Sequence, residues 1–552
     1  MNIVTKSGTN DFHGDVFEFF RNGALNARNF FAARHDQLKR NQFGGAIGGP
    51  IAKDKLFFFG NYQGTQIRNI AAGRTAFVLT PAERNGNFAV ISRQLVDPIT
   101  NVPFPGNQIP ASQISPVTQK LLPLLPISNS PDGFVIYDQP IRQHENQFLG
   151  RVDYYLASQR IYAKYFNSHY IQDAISGRPN LLAANLGTDL LDQAISMNHT
   201  YNFGPNLLNT FTFAYNRNAG TTSSGAPFNL SDIGVNIAGP TPPEIFMSVA
   251  GYFTISTGRL RAIVRQNFDF EDSLHWIHGI HEVFLGGELL RVRLDGKNAF
   301  RQSGQFNFSG TSYSGNALAD FTLGQVQRFI QGGGEYTARN GNLGSLFAQD
   351  NIRVSRQLTV NLGLRWEPFV PYGDDLGRTD CFRSGQPSAR FPNSPTGYIF
   401  AGDPGCPAGG APSTWLALSP RIGFAYRLGT RSTTSIRGGF GVFDQADALV
   451  HWNNMVDSAP FSPQFVLFGV PFENPYTGMT NPFPAQFAPN IPSSNVGFQL
   501  PVLGVSFAPD WKPSRMLSWN LTLEHQLRKD VLLRAAYVAS KGTHLGYNTD
   551  LN

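Results

Sequence analysis

A chain of 552 residues is long for one soluble domain, and only 15% of it is charged, against roughly a quarter in soluble globular proteins. Aromatic residues make up 13%, with 46 Phe and 18 Tyr, yet the mean hydropathy is −0.21 and no run approaches the ~20 apolar residues of a membrane-spanning helix. A helical membrane protein is excluded and a cytosolic enzyme disfavoured, whereas strands with one apolar and one polar face fit all three numbers.

The net charge of +6 comes from scattered Lys and Arg without a basic run, so no nucleic-acid partner is expected. The opening Met1-Asn2-Ile3-Val4-Thr5-Lys6 lacks the basic and apolar regions of a secretory signal. The strand pattern that follows favours a chain that begins inside a longer reading frame.

In chain order, strands are predicted first at residues 12–21, 41–51 and 56–64, the last two joined by the turn Ala52-Lys53-Asp54-Lys55. Further short polar turns fall at Ala157-Ser158-Gln159-Arg160, Gly204-Pro205-Asn206, Ile277-His278-Gly279-Ile280, Ser355-Arg356-Gln357, Gly429-Thr430-Arg431-Ser432 and Arg528-Lys529-Asp530. Each joins two segments of about ten residues, the length of a tilted strand that crosses a bilayer. Between successive hairpins lie long Gly/Pro/Asn/Ser-rich stretches, 65–145, 170–192, 218–264, 295–344, 368–418 and 444–515. Alternation is clearest in Leu358, Val360, Leu362, Leu364 and Trp366 against Thr359, Asn361, Gly363 and Arg365, and again in Leu517, Trp519, Leu521 and Leu523 against Ser518, Asn520, Thr522 and Glu524. Phe211, Phe213 and Tyr215 alternate with Thr210, Thr212 and Ala214.

Connection length that tracks parity is natural in an up-and-down barrel, where odd connections lie at one end and even ones at the other. A secreted soluble β-sandwich, the competing reading, does not require it. The expected fold is therefore all-β, a transmembrane antiparallel β-barrel with short periplasmic turns and long extracellular loops, of about fifteen spanning strands. Two places resist the pattern. Asp272 interrupts the apolar row Phe268, Phe270, Leu274, Trp276 and would face lipid at a cost of order a few kcal/mol unless a bulge or a partner charge resolves it. Residues 324–344, around Gly332-Gly333-Gly334, are compatible with two further strands or none.

Candidates for chemistry are few. His275, His278 and His281 do not converge across a short turn as an i, i+4 pair does on a helix, so no metal site is expected. The glycine-rich stretch 44–50 lacks a following Gly-Lys-Ser/Thr and is no phosphate loop. Its glycines would let the strand bend or pack against something inside the lumen. With no nucleophile elbow and no Cys–His pairing, no catalytic residue and no cofactor is expected. Arg151, Asp153, Arg365, Glu367 and Arg437, with Arg217, would face a wet lumen or sit at strand ends, and Trp276, Trp366 and Trp519, with Tyr154 and Tyr215, would form aromatic girdles. Cys381 and Cys406 could close a disulfide-bonded loop or remain loop thiols. Loop residues such as Trp415 and Trp452 are candidates for selectivity.

The opening stretch 2–10, followed by Phe12-His13-Gly14, resembles the plug–barrel junction of TonB-dependent outer-membrane receptors of the Oar-like branch. Arg40-Asn41-Gln42-Phe43-Gly44, Gly48-Gly49-Pro50-Ile51, Lys53-Asp54-Lys55, Phe57-Phe58-Phe59, Pro105-Gly106-Asn107-Gln108-Ile109-Pro110, Phe347-Ala348-Gln349-Asp350, the stretch 419–426 and Ser518-Trp519-Asn520 follow in the same order. The resemblance implies a bacterial outer-membrane barrel of 22 strands around a plug. Residues 1–11 would be the end of the plug and 12–552 a barrel lacking about seven C-terminal strands. It further implies outer-membrane lipid as surroundings and an unknown extracellular cargo (siderophore, glycan or peptide). The TonB complex would be engaged only through a missing N-terminal region that also holds the plug and a carboxypeptidase-regulatory-like domain. The alternative is a surface adhesion or structural barrel that imports nothing.

Overall fold

The computed structural model describes residues 5–547 and 549, except 32–34, 71–72, 241–242, 311–312, 430–432, 446–448, 490, 501 and 503. Asn2, Ile3 and Val4 of the junction motif, and Thr430, Arg431 and Ser432 of one predicted turn, lie outside the described residues.

Fifteen long antiparallel strands follow one another in a single sheet in chain order: β1 (His13–Asn22), β2 (Lys39–Ala52), β3 (Leu56–Ile70), β4 (Pro140–Tyr155), β5 (Gln159–Gln172), β6 (Gly187–Gly204), β7 (Leu207–Ser223), β8 (Arg261–His278), β9 (His281–Asn298), β10 (Glu335–Arg353), β11 (Leu358–Trp366), β12 (Leu418–Arg427), β13 (Thr434–Gln445), β14 (Ser514–Arg528) and β15 (Val531–Thr543). Every strand pairs with its sequence neighbours, and the described ladder leaves β1 and β15 as edges. Among the described residues, no helix is long and apolar enough to cross a membrane.

The turns are tight because the sequence supplies residues that tolerate their backbone. Asp54 sits at φ 62° and Gly279 at φ 60°, in the left-handed region that Asp and Gly enter most easily. Strands β6 to β10 run to 17–19 residues, well past the predicted ten. At about 3.3 Å per residue and a tilt near 45° they rise roughly 40 Å, more than the ~25 Å apolar band, so their upper thirds stand clear of it. The outer face carries exposed Leu285, Leu289, Leu362, Leu364, Ile422, Leu521 and Leu523. The inner face carries the polar alternates.

Apolar cores lie among the long connections. A five-stranded sheet is built from Phe253–Ser256, Phe246–Val249, Gln305–Phe308, Gln325–Gly332 and Gln464–Pro471. It shares one core with the other loops, including Phe88, Ile109, Leu181, Leu230, Phe306, Phe321, Phe329 and Phe472. Residues 325–332 therefore belong to this outer lobe, and β10 starts at Glu335. The open question over 324–344 resolves into a single lobe strand followed by a spanning strand, with no extra spanning hairpin.

Candidate functional site

The N-terminal segment, residues 5–10, lies along β2–β4 at their short-turn end. Asn10 accepts a hydrogen bond from the Asp54 backbone N–H (2.8 Å) and donates to Asp54 Oδ1 (2.6 Å). Gly8 is so close to the wall that a Cβ would stand 2.3 Å from Phe58 O and 2.6 Å from Gly49 O. A Cβ on Gly48 would in turn lie 3.4 Å from Gly8 Cα, so the glycines of β2 make room for this strand of chain. Arg151 Nη1 donates to Thr5 Oγ1 (2.6 Å) and to Thr5 O (3.2 Å), while its other nitrogens grip Asp153 at 2.6 and 2.7 Å. Arg160 also reaches Asp153 at 3.3 Å. Arg151 and Asp153 occupy inward positions of β4, but both are buried and neither meets an open lumen.

At the long-loop end, a cavity of about 830 Å³ opens against β9, β10, β11, β13 and β14 and the loop residues 367–369, 412–417 and 509–513. Arg365 donates to Glu367 Oε1 (2.6 Å) and to Glu288 Oε2 (2.9 Å), which joins β9 to β11 across the inner face. Arg515 holds both oxygens of Asp444 at 2.7 and 2.9 Å, and Ser419 donates to Asp444 Oδ2 (3.2 Å). Trp415, Trp511 and Phe369 form an aromatic part of the lining. Trp415 is 60% exposed, whereas the rings of Phe369 and Trp511 pack 5.6 Å apart. Two buried aromatics, Phe369 and Tyr372, pack on Val292 and Leu343 of the inner face together with Trp452, so these connections fold into the mouth.

Arg365 and Glu367 thus belong to this mouth. Arg437 lies elsewhere on the inner face, paired with Glu524 at 2.8 Å. Arg217 is corrected: it stands on the outward row with Phe213 and Tyr215, near the outer end of β7, where it donates to Gln193 (3.4 Å). Trp452 is also corrected, since it is wholly buried with its indole N–H bonded to Gly409 O (2.7 Å) and cannot select a ligand at a surface. Trp276 lies two residues from the short-turn end of β8 and Trp366 is the last residue of β11 at the opposite end. Trp519 is the sixth residue of β14, opposite Phe440 and Ala539. Sequence reasoning missed Glu288, Asp444, Arg515 and Trp511; Glu288 alone had a signal, as a charge on the polar row of β9 opposite Leu285 and Leu289.

His275 faces the opposite way from His278 and His281, which stand directly across the ladder from each other. His275 points inward, stacks on Phe284 at 4.3 Å and meets Glu282 at 3.1 Å. His281 meets Asp350 at 2.7 Å on the outer face, and His278 stacks on Trp276. Asp272 does face outward: its ladder to β7 and β9 is unbroken, without a bulge, and Asn209 donates to it at 2.8 Å. The relief is the amide donor of Asn209, not a partner charge.

Within the loops, Cys381 and Cys406 are bridged, with Cα atoms 5.7 Å apart. Burial pushes the carboxyls of Asp380, Glu244 and Asp457 up to about 7, against Tyr398, which donates to Asp380 at 2.7 Å, Arg259 beside Glu244, and Arg301 near Asp457.

Residues 4–552 match the model of a family described as "Outer membrane beta barrel domain". The chain belongs to this outer-membrane β-barrel family. Its place is accordingly the bacterial outer membrane. One stretch of the chain is 39% identical over 70 residues to the TonB-dependent transporter Oar of Myxococcus xanthus, a match covering 11% of this chain and 7% of that protein. Among solved structures, the outer membrane transporter YddB of Escherichia coli aligns with 91% of this chain and 46% of its own at 10% identity and a TM-score of 0.46. The ferric-catecholate import receptor Fiu of E. coli K12 aligns with 98% of this chain and 59% of its own at 12% identity and a TM-score of 0.45. The chain spans about half the length of these structures, and likenesses this distant add nothing to the family match. The relative and the solved structures are themselves named as transporters and receptors.

Proposed function

We propose that this barrel is the translocating part of an Oar-like TonB-dependent receptor for energised uptake of a large extracellular nutrient. Residues 1–11 are the end of a plug, and 12–552 are the barrel with its long connections. The observation that carries the reading is the pinned N-terminal segment. Thr5, Gly8 and Asn10 are each held against the inside of the wall near the short-turn end, where chain running from a plug has to enter the first strand. The paired charges and aromatics of the mouth supply a place where cargo can first rest. TonB would act on chain ahead of residue 5, and the lipid-facing Trp276 and Trp366 would anchor the two interfaces.

Uptake by cells expressing the complete reading frame, with and without TonB, tests this. Loss of uptake without TonB supports energised import, and equal uptake refutes it. The folded outer lobe also suits a surface adhesin, the second reading. Cell adherence that survives loss of TonB, with no uptake of any cargo, would select it.

A further inference from the structure

The mouth cavity carries a more specific inference, which rests on the receptor reading above. We propose that it binds a neutral oligosaccharide, stacked on Trp415 and hydrogen-bonded by the carboxylate–arginine pairs beneath.

Charge is the first argument. Both guanidiniums in the wall are already committed, Arg365 to Glu288 and Glu367, and Arg515 to both oxygens of Asp444. Three carboxylates therefore outnumber two guanidiniums, while Lys512 and Asp510 at the rim cancel. An anionic cargo would have to break an existing ion pair to gain a counter-charge, and would meet a net negative wall until it did. An uncharged polyol needs no such exchange. Each carboxylate accepts at about four lone-pair sites, so Glu288, Glu367 and Asp444 keep acceptor capacity for hydroxyl donors while still holding their arginines.

Shape is the second. Trp415 is 60% exposed beside an 84% exposed Leu416, an apolar surface at the entrance to a polar floor. A pyranose ring has the matching profile, with C–H groups on its faces and hydroxyls around its rim. The volume, about 830 Å³, falls within the range that buries a ligand of several rings. A peptide is separated by the test below, because β10 is laddered to β11 only from Leu346 onward and Leu343, Gly344 and Ser345 of its lining stretch are free on that side for an extended backbone to join.

The test uses the full chain in detergent micelles, with tryptophan fluorescence and calorimetry as readouts. The probes are maltohexaose, cellohexaose and xylohexaose, against hexagalacturonate, ferric citrate and hexaalanine. Saturable binding of at least one neutral hexasaccharide is expected, about tenfold weaker in Trp415→Ala, partly restored in Trp415→Phe and unchanged in Trp276→Ala at the other end of the barrel. The inference is overturned if no neutral hexasaccharide binds, if only the anionic probes or the peptide bind, or if sugar binding ignores Trp415. Those results leave the receptor reading standing. TonB-independent uptake of a sugar that binds through Trp415 would sink the receptor reading and keep the sugar site.

Discussion

Placing an arginine on the outer face measures whether that face meets hydrocarbon, and the structure separates two leucines that look alike in sequence. Leu523 lies five residues above the end of β14. At 3.3 Å per residue and a 45° tilt this is about 12 Å, half-way up an apolar band of ~25 Å. Its ladder neighbours are Ile436 and Ala535, so an arginine there has no directly facing anion, and Leu523→Arg should cost about 2–4 kcal/mol. Leu362 sits at a similar height in β11 but directly opposite Asp350, whose carboxylate already meets His281. Facing pairs on a ladder bring Cβ atoms to about 5 Å, so Leu362→Arg gains an ion pair and should cost roughly 1–2 kcal/mol less. Asn520→Arg, on the inner face of β14, is the control and should be nearly neutral. The assay is the urea midpoint of bilayer-reconstituted protein at constant m-value. Equal midpoints for Leu523→Arg and Asn520→Arg would refute the lipid facing, and equal costs at Leu523 and Leu362 would refute the role of Asp350.

Arg151→Ala should free the N-terminal segment and leave Asp153 buried with Arg160 alone, costing about 3 kcal/mol; protease access to residues 5–10 should rise, and unchanged protection would show that Gly8 and Asn10 suffice. Asp380, Glu244 and Asp457 have folded-state values raised to about 7. Their protonated forms favour the folded state, so the stability they contribute is complete below about pH 4 and lost as pH rises through about 7, of order a few kcal/mol for each group. Hydrogen exchange in the outer lobe should therefore be faster at pH 8 than at pH 5 after correction for intrinsic rates, and Asp380→Asn should narrow the gap; slower exchange at pH 8 contradicts the sign. Reducing Cys381–Cys406, which spans a separation of 25 residues, should destabilise its connection by about 3 kcal/mol. Loop-selective proteolysis with and without reductant reads this, and identical cleavage rates would count against it.

Much of the barrel wall is written locally. A strand shows its facing through a period of two, and a turn shows itself in two to four residues, so β1 to β15 and their short connections follow from the alternation and from Lys53-Asp54-Lys55 or His278-Gly279 without knowledge of any distant contact. Tertiary structure alone decided what the long connections do. Phe306, Phe321 and Phe472 are apolar residues in Gly- and Pro-rich stretches with no period to read, and they reach one core only because the strands bring five loops to the same end of the sheet. The same non-local assembly buries Trp452 while leaving Trp415 exposed, ties Arg151 to Thr5 and sets Arg515 on Asp444 across 71 residues. Side-chain facing is a property of neighbours in sequence, whereas burial and pairing in the loops depend on where the barrel carries segments that are far apart in the chain.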